Sequence, residues 1–501
     1  SFILSLVLAV SLVMPAYAAE GNKTIDIISF NDFHGTLLST SDTDKNMGAA
    51  KFVEAIKEHK RANPNTIVVS AGDNFNGSAA SNLMYGEPAA LMIRNIGVAA
   101  SAVGNHEFDW GVDKFHNWEV TMGAPFIGAN IYDKETNAPV DYVEPYVIQE
   151  IDGVTVGMLG LTTPETAYKT KPDIVAGIEF KDPVETAKLM VPVMKEAGCD
   201  IVVIVAHVGT SQNQDSKAIT FESGMDGLSR VEGVDGIITA HSHQTVSGYY
   251  NNVPVVQAYY NGRTLAKLSF EVDANNNVVS ATPSLDELYL RKAEVADNLS
   301  MKVNMEIYGR KVAPILNDIV ANTDTGLAHD RYTLSPLGIW TSEVMRKSAD
   351  AQIAFTNGGG LRRGLEAGDI TMGDLYEVMP FDNVLSIFEM TGGQIKAVLT
   401  HGIENAEIGS VQFSGITVEY SSADGVITLN SVKLADGTEL DDAASYRVVT
   451  NDFMATGGDG FTSFLSANYL GDTIAIRDAM AEAMRSEITV NVTNSEILVK
   501  N

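Results

Sequence analysis

One cysteine, Cys199, is all that 501 residues carry, so no intrachain disulfide can staple this fold. It follows a helix-like stretch and precedes an apolar run, which predicts an inert buried thiol in preference to a nucleophile. Positive charge is also scarce: 34 Lys and Arg stand against 64 Asp and Glu, a formal net charge of −30. Such a chain repels polyanions and anionic lipid, which argues against a nucleic-acid polymer or a membrane surface as partner. A small anion is still admitted where metal ions or a few arginines reverse the sign of one pocket. Beyond the opening segment no apolar run is long enough to cross a bilayer, so no membrane span is expected. Solenoid or propeller repeats and low-complexity segments are missing too. The opening SFILSLVLAVSLVMPAYAAE combines an apolar run, Pro15 and the small-residue site Ala16-Tyr17-Ala18. It reads as a signal peptide over residues 1–18 and predicts a periplasmic or secreted protein.

What the chain has is a series of short apolar runs that each lead into polar, metal-competent residues. Ile25 to Phe30 leads into Asn31-Asp32-Phe33-His34, Thr66 to Ser70 into Ala71-Gly72-Asp73, and Ala99 to Val103 into Gly104-Asn105-His106. Ile201 to Val205 leads into Ala206-His207, and Gly236 to Thr239 into Ala240-His241-Ser242-His243. Buried strands separated by helical connections explain these runs, and ligands of open α/β sheets gather outside the carboxyl ends of the strands. A helix is expected between Arg291 and about Asn317, where Val295, Leu299, Val303 and Ile307 recur every four residues. Past it, runs such as Ala351–Phe355 and Gly415–Tyr420 alternate with helical stretches, which predicts a second α+β domain.

A single His or Asp at a strand end is an ordinary turn residue. Asp32, His34, Asp73, Asn105, His207, His241 and His243 together are not, because compatible donors at successive strand ends are hard to explain as accidents. Mixed carboxylate, imidazole and amide donors suit two divalent ions such as Zn, Mn, Co or Fe. A carboxylate such as Asp73 can bridge them at roughly 3.5–4 Å, where a shared hydroxide attacks phosphorus. His106 and Asp109 lie three residues apart and share a face on a helical turn, so Asp109 can fix the imidazole while His106 serves as general acid or electrostatic stabiliser.

Asp32-Phe33-His34, Gly72-Asp73, Gly104-Asn105-His106-Glu107, His207 and His241-Ser242-His243 resemble the calcineurin-type metallophosphoesterase family over about residues 24–270, with Ala240 where that family usually has Gly. The resemblance implies an α/β fold with an N-terminal four-layer α/β/β/α domain. It also assigns one metal to Asp32, His34, Asp73 and His243, and the other to Asp73, Asn105, His207 and His241.

Downstream, Asn357-Gly358-Gly359-Gly360-Leu361-Arg362-Arg363, Met379-Pro380-Phe381-Asp382-Asn383 and the stretch Asn451 to Phe461 resemble the C-terminal domain of the 5′-nucleotidase family. Phe381 and Phe453 would then stack on a base, and Arg331, Asn357, Arg362 and Asp459 would bind phosphate, base or ribose. Arg331 rests on a looser match, and Arg363 is expected in a surface pair. The domain reading is a signal peptide at 1–18, a metallophosphoesterase domain at 19–290, a helical linker at 291–320 and an α+β substrate-binding domain at 321–501. The activity implied is hydrolysis of the 5′-phosphate of nucleotides, extending to nucleotide diphosphates or nucleotide sugars. A 2′,3′-cyclic-nucleotide phosphodiesterase with 3′-nucleotidase activity and a non-catalytic nucleotide-binding protein are the alternatives. The sequence leaves the oligomeric state open.

Overall fold

A computed structural model describes residues 22–38, 44–423, 425–486 and 498–500; the signal-peptide reading lies outside them. The first domain is built on two sheets. One runs in the order Val278–Asp286, Leu265–Val272, Lys23–Phe30, Thr66–Ser70, Ala100–Ala102, Phe126–Ile127, with the last four strands parallel. The other runs Thr245–Tyr250, Val253–Ala258, Gly236–Ala240, Ile201–Gln212, Val154–Thr162, Tyr146–Ile151, parallel through its four central strands. Strands that bury both faces must be apolar throughout, which is why these read as continuous Val and Ile runs and not as alternations.

Ile25, Ile27, Val69, Val156, Val203 and Val256 fill the space between the sheets. The outer face of the first sheet packs on helices Gly48–Ala62, Glu87–Ile96 and Lys114–Met122 through Phe52, Ile56, Ile93 and Phe115. The second is covered by helix Pro183–Glu196 through Val184, Ala187 and Val191. The layers are therefore α/β/β/α, as expected. Cys199 is buried between that helix and the strand that follows.

Two sequence expectations change. The strand expected to end before His207 continues to Gln212, because Thr210–Gln212 pair with Ile219–Phe221; His207 thus sits within a strand, opposite Thr162. The helix expected between Arg291 and Asn317 forms at Leu299–Leu316, but Leu299, Val303 and Ile307 are exposed and Met301, Met305 and Val312 are buried. Met301 and Met305 join the first domain's core beside helix Gly48–Ala62, so Leu299, Val303 and Ile307 form the outer face of a docked helix, while Val295, ahead of the helix, is buried in that core.

The second domain holds a mixed five-stranded sheet in the order Gln412–Ser414, Ile353–Thr356, Ser445–Asn451, Val384–Thr391, Asn468–Ala475. Helices Pro336–Ser348 and Ile476–Ser486 cover one face through Leu337, Met345 and Met480; helix Gly392–Gly402 covers the other through Ile395 and Leu399.

Candidate active site

Strand ends deliver most of the ligand set, with His207 supplied from within a strand, and tight backbone turns aim five of its members. Asp32, His34, Asp73, His241 and His243 all hold left-handed backbone, with φ of 46°, 49°, 56°, 70° and 54°. A non-glycine residue pays about 1–2 kcal/mol for that conformation, and the loops pin it with hydrogen bonds such as Asp32 N to Gly72 O at 2.9 Å and His34 N to Asp73 O at 3.0 Å. Gly104 explains its own residue type: a Cβ there would fall 2.2 Å from Asp73 Oδ1. Glu107 is fully buried and accepts from the N–H groups of Asp73, Asn74 and Gly104 at 2.8, 2.8 and 2.7 Å, so one carboxylate ties together the turns that carry Asp73 and Asn105. Burial, reinforced by Asp73, pushes the Glu107 carboxyl up to about 7.

The donor atoms converge in two groups. Those of Asp32, His34 and His243 lie within 4.8 Å of one another, as do those of Asp73, His207 and His241. His34 Nδ1 lies 2.8 Å from Asn76 O and donates to it, which leaves the Nε2 lone pair facing His243 Nε2 at 3.1 Å. Burial and His243 push the His34 imidazole down to about 3, so it stays neutral, as a ligand must. Asp32, although burial opposes its charge, is held down to about 2 by His243. Asp73, acting against burial, draws the His207 imidazole up to about 10, so positive charge is favoured between those two groups.

Among the described residues nothing hydrogen-bonds Asp32 Oδ1, Asn105 Oδ1 or His207 Nε2, all buried. His207 Nε2 and Asp32 Oδ1 have only a charged neighbour each, Asp73 Oδ2 at 3.2 Å and His243 Nε2 at 3.3 Å; buried polar atoms without a hydrogen bond are costly, and bound divalent metal would satisfy all three. The residues present therefore fit bound divalent metal. His241 presents Nε2 to Glu165 Oε2 at 3.2 Å, a partner the sequence reading missed. His106 Nδ1 sits 2.7 Å from Asp109 Oδ2 on the 3-10 turn Asn105–Phe108, and Asp109 is itself held by Asn76 Nδ2 at 2.6 Å and Thr170 Oγ1 at 3.0 Å. Against burial, Asp109 and Asp73 raise the His106 imidazole to about 9.

The second domain closes over this centre. One cavity of about 910 Å³ is lined from the first domain by Asp73, Asn105, His106, Asp109, His241 and His243, and from the second by Arg331, Asn357, Arg362, Phe381, Phe453 and Asp459. Asp32, His34 and His207 lie behind its wall, buried. Asn357 ends strand Ile353–Thr356, donating to Asp459 Oδ2 at 2.8 Å and accepting from Asn451 Nδ2 at 3.0 Å. Among the described residues neither Arg331 nor Arg362 has a carboxylate within ion-pair distance, whereas Arg363 pairs with Glu377 and Asp374, as expected of a surface arginine. Arg362 is exposed to the cavity; desolvation by the surrounding walls and nearby Arg331 pull its guanidinium down to about 10, so it remains charged at neutral pH.

Contacts between the domains join motif segments of the second domain to first-domain residues that no motif flagged. Lys171 Nζ lies 2.9 Å from Asp452 Oδ2, Lys169 Nζ 3.7 Å from Asp459 Oδ1, and Asn82 Nδ2 donates to Pro380 O at 2.6 Å.

Comparison with known proteins agrees with this division. The calcineurin-like phosphoesterase family model matches residues 25–245, and that of the 5′-nucleotidase, C-terminal domain, matches residues 314–466. The chain is 30% identical over 465 residues to endonuclease YhcR of Bacillus subtilis, covering 88% of this chain and 38% of that protein. It is 27% identical over 518 residues to the 5′-nucleotidase of Vibrio cholerae, covering 91% and 92%. The crystal structure of the 5′-nucleotidase precursor from Thermus thermophilus superposes with a TM-score of 0.81 at 26% identity, covering 95% and 99%. Relatives differ in length, and the chain spans 38%, 66% and 32% of three curated ones. With both domain families matched in order along one chain, and with a nucleotidase of similar length aligned across nearly all of it, the protein joins a calcineurin-like phosphoesterase domain to a 5′-nucleotidase C-terminal domain and is similar to 5′-nucleotidases across most of its length.

Proposed function

We propose that this chain hydrolyses the 5′-phosphate of nucleotides to nucleoside and phosphate, with nucleotide diphosphates and nucleotide sugars as further substrates. The observation that carries the reading is the shared cavity: two convergent ligand groups on one wall, and two arginines without carboxylate partners beside Phe381 and Phe453 on the other. Asp32, His34 and His243 would hold one divalent ion and His207, His241 and Asn105 the other, with Asp73 between them. Bound there, such ions polarise the phosphoryl oxygens and lower the pKa of water.

The chain's own residues supply the rest. Arg331 and Arg362 neutralise and orient the phosphate, bidentate geometry being the particular strength of guanidinium. His106, fixed by Asp109, stands beside Asp73 to stabilise charge on the phosphoryl group or to hand a proton to the leaving 5′-oxygen. Phe381 and Phe453 offer ring faces to the base, while Asn357 and Asp459 offer an amide and a carboxylate to its edge or to ribose hydroxyls. A cyclic phosphodiester is less favoured, because relatives named 5′-nucleotidase align over nearly the full length of the chain. We place the protein in the periplasm or outside the cell on the strength of its leader-like opening; among the described residues no helix is long and apolar enough to cross a membrane.

The test is phosphate release from AMP, UMP, ADP, a nucleotide sugar and a 2′,3′-cyclic nucleotide, with Mn, Co, Zn or Mg returned to metal-free protein. The reading expects metal-dependent release from the 5′-mononucleotides. Cleavage confined to the cyclic substrate, or nucleotide binding without turnover in protein that holds two ions, would overturn it.

A further inference from the structure

Phe381 sits in Met379–Asn383, a loop between helix Met372–Val378 and strand Val384–Thr391. A loop carries no hydrogen-bond ladder of its own, so something else must hold its carbonyls. Asn82 of the first domain holds Pro380 O; for Met379 and Phe381 the partner is Arg477, at the start of helix Ile476–Ser486, nearly a hundred residues downstream and 6% exposed. Its Nη1 donates to Met379 O at 2.8 Å and to Phe381 O at 3.2 Å, and its Nη2 reaches Asp382 Oδ1 at 2.5 Å. The guanidinium carbon lies 3.6 Å from the centre of the Tyr376 ring, and the neighbouring Ile476 N donates to Asn383 O at 2.9 Å. Every bond falls on the loop that aims Phe381, and Arg477 does not line the cavity.

A buried guanidinium spends its fixed fork of donors where orientation matters, since an ammonium cannot reproduce two directed bonds plus a stacked face. We propose that Arg477 is a positioning residue for substrate specificity: through the carbonyls of Met379 and Phe381 it sets the angle of the Phe381 ring, and so the fit of the nucleobase. This rests on the nucleotide reading above.

The test is steady-state kinetics of metal-loaded Arg477→Lys with AMP and with p-nitrophenyl phosphate, alone and combined with Phe381→Ala. Expected for Arg477→Lys is an AMP KM raised about tenfold, the scale of one base stack largely lost, with kcat for both substrates within about threefold of wild type. In the double variant the AMP KM should equal that of Phe381→Ala alone, because a ring that is gone cannot be misaimed. Additive increases, or an equal loss on p-nitrophenyl phosphate, would show that Arg477 only holds the fold and would overturn the inference. If Phe381→Ala itself leaves the AMP KM unchanged, the base-stacking reading fails first, and this inference with it. Should Arg477→Lys not fold, Tyr376→Leu removes the ring beneath the guanidinium, and the same non-additivity with Phe381→Ala is expected at smaller amplitude; additivity there overturns the inference equally.

Discussion

His106 of the first domain and Phe381 of the second lie nearly parallel, ring centroids 5.5 Å apart and planes 21° apart. The group we propose for chemistry and a group we propose for base recognition are therefore neighbours across the domain boundary, and their contributions have to be separated by measurement. His106→Gln keeps a side chain of similar reach but removes the imidazolium that Asp109 and Asp73 sustain. The expected result is a kcat for AMP lower by about two to four powers of ten, with a much smaller change in KM. Loss of nucleotide affinity with unchanged kcat would make His106 a binding residue.

Asp73 occupies a different position in the network. Its Oδ1 accepts from His106 N at 2.9 Å and its Oδ2 lies 3.2 Å from His207 Nε2, so one carboxylate faces both the turn that carries His106 and the candidate metal ligand His207. Asp73→Asn should abolish turnover and reduce bound metal, read by elemental analysis, more than His243→Ala does, because an amide offers one weak oxygen where two anionic ones stood. Two ions retained with near-normal activity would refute a bridging role.

Glu107 makes a third case, since it touches no substrate. Glu107→Gln leaves at least one of three buried N–H groups without a good acceptor, at a cost of about 1–3 kcal/mol per orphaned donor. Thermal unfolding should shift down, and the metal concentration needed for half-maximal activity should rise, with kcat recovering once metal is saturating. An unchanged metal requirement would mean that the turns keep their shape without this carboxylate.

How much of this was legible in the chain depends on the range of the signal. Metal-competent residues beside apolar strands are local patterns, and Asp32, His34, Asp73, His207, His241 and His243 could be gathered from them before any coordinates. Met301 and Met305 show the limit: a period of four marks a helix, but Leu299, Val303 and Ile307 carry the same period on the solvent side, and only the docked partner decides which face is buried. Glu107 was read merely as part of a motif because its work is to accept backbone N–H groups, which have no side-chain signature. Glu165, Lys169, Lys171 and Arg477 act on partners dozens to hundreds of residues away, and nothing in their immediate neighbours announces it.

The last prediction concerns motion. We place the domain boundary at the C-terminal end of helix Leu299–Leu316, because that helix is docked on the first domain through Met301 and Met305 and leads into strand Ile319–Thr323 of the second. In the conformation described here, Lys171–Asp452 and Lys169–Asp459 bridge the domains, and Asp452 also accepts from Asn383 Nδ2 at 2.8 Å, joining the loop that carries Phe381 to the short helix Asp452–Ala455 that carries Phe453. A nucleotide held between metals on one side and aromatic rings on the other cannot enter or leave freely while these contacts persist, so turnover should require them to break. Lys171→Cys with Asp452→Cys, joined by a short thiol-cleavable linker, tests this directly; Cys199 is buried and should not compete for the reagent. Cross-linked protein should lose multiple turnover of AMP, and reduction should restore it to the level of the unlinked double variant. Phe453→Ala supplies the complementary measurement: losing one base stack, worth roughly 1–3 kcal/mol, should weaken AMP strongly while p-nitrophenyl phosphate, which has no base to clamp, changes little. Full steady-state turnover in verified cross-linked protein would exclude an obligatory opening, and equal losses on both substrates in Phe453→Ala would remove Phe453 from the base site.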